Sequence, residues 1–253
     1  MTVPTSAEYD LWIRRFHQAP DAKVRLLCLP HAGGSASFYF PVSAALSPDI
    51  EVLAVQYPGR QDRRAEPSIG TIAELADQIH RVLATLDDRP LALFGHSMGA
   101  ILGFELARRL EADGRVPAAL FASGRRGPAT HRAEFVHQRD DDGLVAELKT
   151  LSGTNTALLG DEEILRMILP AIRNDYRAIE TYERPAGGPL SCPIVTLIGD
   201  DDPKSTVDEA KAWAEETTGE FSLRVFSGGH FYLAAQQRAV LGEITDRLRA
   251  HTG

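Results

Sequence analysis

Short apolar runs recur along the chain at residues 24–29, 51–56, 91–94, 118–122, 194–198 and 222–226. Their length and their Val, Ile, Leu and Phe content predict strands. A weaker run at 12–16 predicts one more. Helical spacing fills most of the gaps. In 71–86, Ile72, Leu75, Ala76, Ile79, Leu83 and Leu86 share one stripe, the pattern of an amphipathic helix with one face on a core. Helices are likewise expected over 98–111, 211–217 and 231–250. Strands alternating with helices point to an α/β chain, with a mostly parallel central sheet and helices on both faces. The central runs are almost continuously apolar, as strands covered on both sides require.

Residues 125–189 break the alternation, with no convincing strand. Three helical patterns occur instead: Leu144, Val145 and Leu148; Ile164, Leu165, Ile168 and Leu169; and Ile172, Tyr176, Ile179 and Tyr182. A plain crossover between neighbouring strands needs far fewer residues. The segment is either a long decorated crossover or a helical cap over the C-terminal edge of the sheet, where ligands bind in open α/β folds. The cap is the expectation.

Composition narrows the class. The chain has 253 residues, 43% of them hydrophobic and 25% charged, ordinary for a globular protein. A net charge of −8 does not suit phosphate backbones or anionic membranes, so neither nucleic acid nor membrane is expected as a partner. Cys28 and Cys192 lie in or beside apolar runs and predict buried thiols, not a disulfide framework. No Cys/His cluster suggests a metal. The opening MTVPTSAEYD has neither a basic nor an apolar leader segment, so a cytoplasmic location is the expectation.

The chemistry concentrates at Gly95-His96-Ser97-Met98-Gly99. Such a pattern arises by chance too readily to carry weight alone; its setting, between a predicted strand and a predicted helix, is that of a nucleophile elbow. A tight turn there lifts the serine Oγ above the sheet edge, and the flanking glycines let strand and helix nearly touch. A serine nucleophile needs a base, and the base an orienting carboxylate, here in the order Ser, acid, His. Of eight histidines, His17, His80, His131, His137 and His251 fall in polar, helical or terminal contexts and are expected in solvent. His96 is expected to point away from its neighbour Ser97. His230, in a glycine-rich loop after the last predicted strand, is the expected base. The acid is sought after strand 194–198, in Gly199-Asp200-Asp201-Asp202-Pro203. The chain must turn at Gly199 before a side chain can reach the imidazole, which favours Asp202, with Asp201 as the alternative. The amides of Met98 and Ala32 are the expected oxyanion donors. His31 is expected to brace the Ala32 loop.

Taken together, PHAGGSASFYF, QYPGRQDR, FGHSMGA, the GDDDP loop and FSGGHFYL resemble, in order and approximate spacing, the type II thioesterases of polyketide and nonribosomal peptide assembly lines, in the α/β-hydrolase superfamily. The resemblance spans nearly the whole chain. It implies an α/β-hydrolase core at 1–124 and 190–253 with a helical lid inserted at 125–189, and an antiparallel edge strand at 12–16. It places the nucleophile on Ser97, the base on His230 and the oxyanion donors on Ala32 and Met98. It places the acid third after the loop glycine, which is Asp202. It implies hydrolysis of acyl groups from the phosphopantetheine thiol of acyl or peptidyl carrier proteins, to clear stalled or wrong units. The carriers would be transient partners of a monomer that needs no cofactor of its own.

Carrier proteins are usually acidic, and so is this chain, so docking is expected to need a local basic surface. Arg60, Arg63 and Arg64, or Arg125 and Arg126, are the candidates. A stand-alone esterase or lipase for a small molecule would use the same Ser97, Asp202 and His230, and is the alternative. A non-catalytic binding protein of this fold would usually lack one of the three.

Overall fold

The computed structural model describes residues 5–152 and 162–252; the side chains of residues 152 and 162–164, Ile164 among them, lie outside the described residues. Seven strands form one sheet: β1 (Ile13–Arg14), β2 (Val24–Leu29), β3 (Ile50–Val55), β4 (Leu91–His96), β5 (Leu120–Ser123), β6 (Ile194–Gly199) and β7 (Phe221–Phe226), in the order β1-β3-β2-β4-β5-β6-β7. β1 is antiparallel to β3, and every other pairing is parallel. Every residue of β2, β3, β4 and β6 is buried.

The pleat divides these strands between two cores, because successive side chains face opposite sides. Leu27, Leu29, Leu53, Val55 and Leu93 face α3 (Ile72–Leu83) and α4 (Met98–Ala112). Leu26, Cys28, Val52, Ala54 and Phe94 face the side of α2 (Phe40–Leu46) and α9 (Gln237–Leu248). Both cysteines are buried and free, as the sequence suggested.

Several elements depart from the reading of the sequence. α1 (Ser6–Trp12) and α2 were not anticipated. Each has seven residues, too few to display a period, although Thr5 and Glu8 form a capping box on α1 that the motif Thr-x-x-Glu announces. α7 (Val207–Lys211) starts before the expected helix at 211, on a second capping box between Thr206 and Glu209, and tightens into a 3-10 turn at Ala212–Glu216. The expected helix over 231–250 divides at Gln236 into α8 (Tyr232–Ala235) and α9.

Between β5 and β6 the described residues hold no named strand. Two helices, α5 (Asp141–Ser152) and α6 (Glu162–Glu180), stand there. The second and third helical patterns of the sequence merge in α6, which runs through Pro170. A proline removes one helical hydrogen bond, but Leu165, Leu169, Ile172, Tyr176 and Ile179 stay in phase on one buried stripe. With Val136, Leu144 and Leu151 most of them build a third core, which packs against Ala32 and Phe231. This helical layer therefore rests on the C-terminal edge of the sheet. No helix among the described residues is long and apolar enough to cross a membrane.

Candidate active site

β4 ends at His96 and α4 begins at Met98, leaving Ser97 alone in the turn with φ 56° and ψ −115°. A non-glycine residue at positive φ is strained. What holds it there is contact on both sides. A Cβ on Gly95 would lie 1.9 Å from the Gly99 carbonyl oxygen, and one on Gly99 would lie 2.1 Å from that of Leu29. Strand, turn and helix pass so closely that only glycine fits, and the Ser97 amide is fixed to the Ser123 carbonyl at 2.8 Å.

His230 follows β7 and is buried. Its Nδ1 lies 2.9 Å from each carboxylate oxygen of Asp202. That contact commits Nδ1 and leaves Nε2 for the pocket, which Ser97 and His230 both line. Asp201 is exposed, and Asp200 instead accepts the Gly228 amide at 2.9 Å, fixing the loop that carries His230. Of the three consecutive carboxylates, Asp202 is the one the fold delivers to the imidazole.

The loop after β2 carries the first expected oxyanion amide. Its carbonyls are pinned from below: the Tyr39 hydroxyl donates to Leu29 at 2.8 Å and the Tyr57 hydroxyl to Pro30 at 3.0 Å. The Ala32 amide donates to no acceptor among the described residues. Met98 is the first residue of α4, where no carbonyl of the helix lies behind it to accept its N–H. Both Ala32 and Ser97 face a cavity of about 150 Å³ whose far wall is Leu148, Leu151, Leu165, Ile168 and Ile172 of α5 and α6.

Comparison with known proteins settles the family. The family model for the thioesterase domain matches residues 24–248. The chain belongs to the thioesterase domain family. It is 59% identical to a probable cadicidin biosynthesis thioesterase of Streptomyces griseus over 94% of this chain and 66% of that one, so it spans about two thirds of that relative's length. It is 49% identical to the thioesterase PikA5 of Streptomyces venezuelae over 99% of this chain and 90% of that one. Its fold matches the type II thioesterase BorB from the borrelidin biosynthetic cluster with a TM-score of 0.90 at 56% identity, over 94% and 98% of the two chains. The molecule is a thioester hydrolase with the α/β-hydrolase fold, and its relatives include type II thioesterases of polyketide and nonribosomal peptide pathways.

Two further histidines surround the thioesterase's His230. The His96 ring lies beside it: its centroid is 4.9 Å from that of His230, and its Nδ1 meets the Ser123 hydroxyl at 2.9 Å. His31 packs edge-on against Phe38 and Phe231. Burial above all, with the nearby His230 adding, holds His96 well below the usual imidazole range and pushes His31 down to about 3. Burial thus favours the neutral form of both rings, which does not oppose a positive charge forming on His230. His137 also departs from expectation, being largely buried against the Glu180 carboxylate.

The arginines correct the sequence reading most. Arg60, Arg63, Arg125 and Arg126 are 6%, 5%, 8% and 3% exposed, so only Arg64 of the two proposed basic runs is available to a partner surface. Arg63 pairs with Glu66 and lies over the Trp12 ring. Arg60 pairs with Asp175 of α6, and the same carboxylate oxygen accepts the Gly33 amide at 2.7 Å. Asp175 was not found in the sequence, where nothing local distinguishes it; it ties the helical layer to the loop of Ala32.

A second tie reaches the acid loop. Lys204, two residues after Asp202, bridges Glu134 and Glu147, and Arg126 holds the other oxygen of Glu134. Burial alone would raise the Glu134 pKa, but Arg126 and Lys204 outweigh it and the carboxyl is pushed down to about 2. A depressed carboxylate stabilises the fold above its unfolded value and loses that contribution as pH falls toward the folded value. Glu134→Gln is therefore expected to cost up to about 3 kcal/mol at pH 7. Urea denaturation should show the gap to wild type narrowing as pH falls from 5 to 3; a constant gap would deny the charge its role.

Proposed function

We propose that this thioesterase removes acyl groups from the phosphopantetheine thiol of acyl or peptidyl carrier proteins, using Ser97 as nucleophile, His230 as base and Asp202 as its orienting acid. The observation that carries the assignment is His230 Nδ1 held 2.9 Å from both oxygens of Asp202, in the pocket where Ser97 stands. As Ser97 Oγ attacks the thioester carbonyl, His230 Nε2 takes its proton. Asp202 fixes the ring tautomer and stabilises the imidazolium. The tetrahedral oxyanion lies against the Ala32 and Met98 amides. Collapse expels the thiolate, which takes the proton from His230. Water then attacks the acyl-serine by the same route and frees the acid. Each well-placed oxyanion donor contributes about 3 kcal/mol.

The apolar wall of α5 and α6 suits the acyl chain, and the family's place in assembly-line pathways supplies the carrier. On this reading the protein works in the cytoplasm as a monomer, meeting its carriers transiently and clearing misacylated ones. The test compares kcat/KM on butanoyl-carrier protein with that on a butanoyl oxygen ester. A preference of about a hundredfold or more for the carrier is expected from the added protein contact and the better leaving group. Equal or inverted values would make the enzyme a stand-alone esterase.

A further inference from the structure

Arg125 follows β5 and is 8% exposed. Its backbone carbonyl accepts the Trp213 indole N–H at 2.8 Å. Its guanidinium is different: among the described residues it makes no hydrogen bond and no ion pair, and its Nε is buried without a partner. The charges around it are all engaged. Arg126 and Lys204 hold Glu134, Arg132 holds Glu209, Arg184 holds Glu216, and Glu180 accepts two backbone amides and His137. Burial, reinforced by Arg126, pushes Arg125 down to about 10. A buried, unsatisfied cation is costly. Buried polar groups are nearly always hydrogen-bonded, so an unused fork of donors in a binding cavity asks for a ligand.

Position says which ligand. Arg125 lines the cavity shared by Ser97 and the apolar wall, and also a second, polar cleft formed by Arg126, Thr130, His131, Tyr182 and Arg184; Ile179 and Glu180 border both. With the thioester carbon at Ser97 and the acyl chain against α5 and α6, the thiol side of the substrate has to leave by another path. The polar cleft offers one, and Arg125 lines both it and the cavity of Ser97. In a pantetheine arm the first amide follows the sulfur after two methylenes, and its carbonyl is a neutral acceptor needing a donor once removed from water.

We propose that Arg125 is the subsite for the amide carbonyl nearest the thioester in the pantetheine arm. The inference rests on the carrier-thioester reading above and assigns the arm its path. Arg125 is then a substrate-binding residue that reads the leaving group and is indifferent to the acyl chain.

The experiment uses purified Arg125→Met and Arg125→Lys with three thioesters: butanoyl-N-acetylcysteamine, which keeps the amide; butanoyl-ethanethiol, which lacks it; and malonyl-N-acetylcysteamine, which adds an acyl carboxylate. Arg125→Met is expected to lower kcat/KM on butanoyl-N-acetylcysteamine about tenfold to a hundredfold more than on butanoyl-ethanethiol, chiefly through KM, as loss of a charged hydrogen bond predicts. Arg125→Lys should fall between. The melting temperature of Arg125→Met should equal or exceed that of wild type, because an unpaired buried charge is removed. Equal losses on both butanoyl substrates, no loss on either, or a loss confined to the malonyl substrate would overturn the proposal, the last by making Arg125 a reader of acyl carboxylates. A wild type that prefers oxygen esters would instead defeat the carrier reading, so the two failures are distinct.

Discussion

Ser97→Ala is expected to leave a folded thioesterase whose kcat is lower by about a millionfold, the scale seen when a serine nucleophile working with its histidine is removed. Asp202→Asn should cost about ten-thousandfold, because His230 would keep its place but lose the carboxylate that fixes its tautomer. The two losses will not add, since all three residues serve one proton transfer. Covalent labelling by a fluorophosphonate should disappear in Ser97→Ala. If that variant kept a hundredth of the wild-type rate, the nucleophile would lie elsewhere. A companion variant separates chemistry from fold. Ser97 sits at φ 56°, where strain costs about 1–3 kcal/mol. Ser97→Gly should therefore melt higher than Ser97→Ala while being equally inactive.

The second large effect is expected far from the nucleophile. Asp175 stands on α6, yet its Oδ2 accepts the amide of Gly33, next to Ala32. Gly33 has φ +76°, and a Cβ there would strike Ile172 of the same helix at 2.8 Å. The loop that carries the Ala32 amide is thus shaped by the helix above it. Asp175→Ala alone would leave Arg60 buried without its counter-ion, costing about 3–5 kcal/mol, so it would mix stability with catalysis. Paired substitutions avoid this. Arg60→Met with Asp175→Asn removes both charges and keeps an acceptor for Gly33; Arg60→Met with Asp175→Leu removes the acceptor as well. The second pair is expected to lower kcat about a hundredfold beyond the first, comparable to losing an oxyanion donor, with KM for a small thioester little changed. Equal kcat in the two pairs would reduce Asp175 to a partner for Arg60.

The strands were legible because burial on both faces writes itself as apolar runs, and the elbow because glycine spacing records a close approach. Ser97, Asp202 and His230 could be proposed since each follows a strand in a fixed order, and the geometry brings Asp202 to His230. Charge in a sequence says nothing of burial, so Arg60, Arg63, Arg125 and Arg126 looked like surface until their surroundings were known. Asp175 had no local mark because its partners, Arg60 and Gly33, lie far away along the chain. Two helical patterns of the sequence merge in one helix because the buried stripe of α6 stays in phase across Pro170. The His96 ring is held by the Ser123 hydroxyl on the neighbouring strand, a partner that adjacency to Ser97 does not reveal.

The pairing of β5 with β6 bears on how this enzyme becomes active during folding. Leu120 pairs with Ile194 across the whole helical insertion, the widest sequence gap of any pairing in the sheet. Closing such a loop carries an entropic cost, and distant parallel pairings form slowly. Ser97 and the Ala32 loop lie on the N-terminal side of that seam, and Asp202 and His230 on the C-terminal side. Neither half has a complete triad, so a nascent chain with β2 to β5 already paired has a serine at its elbow and no base to activate it.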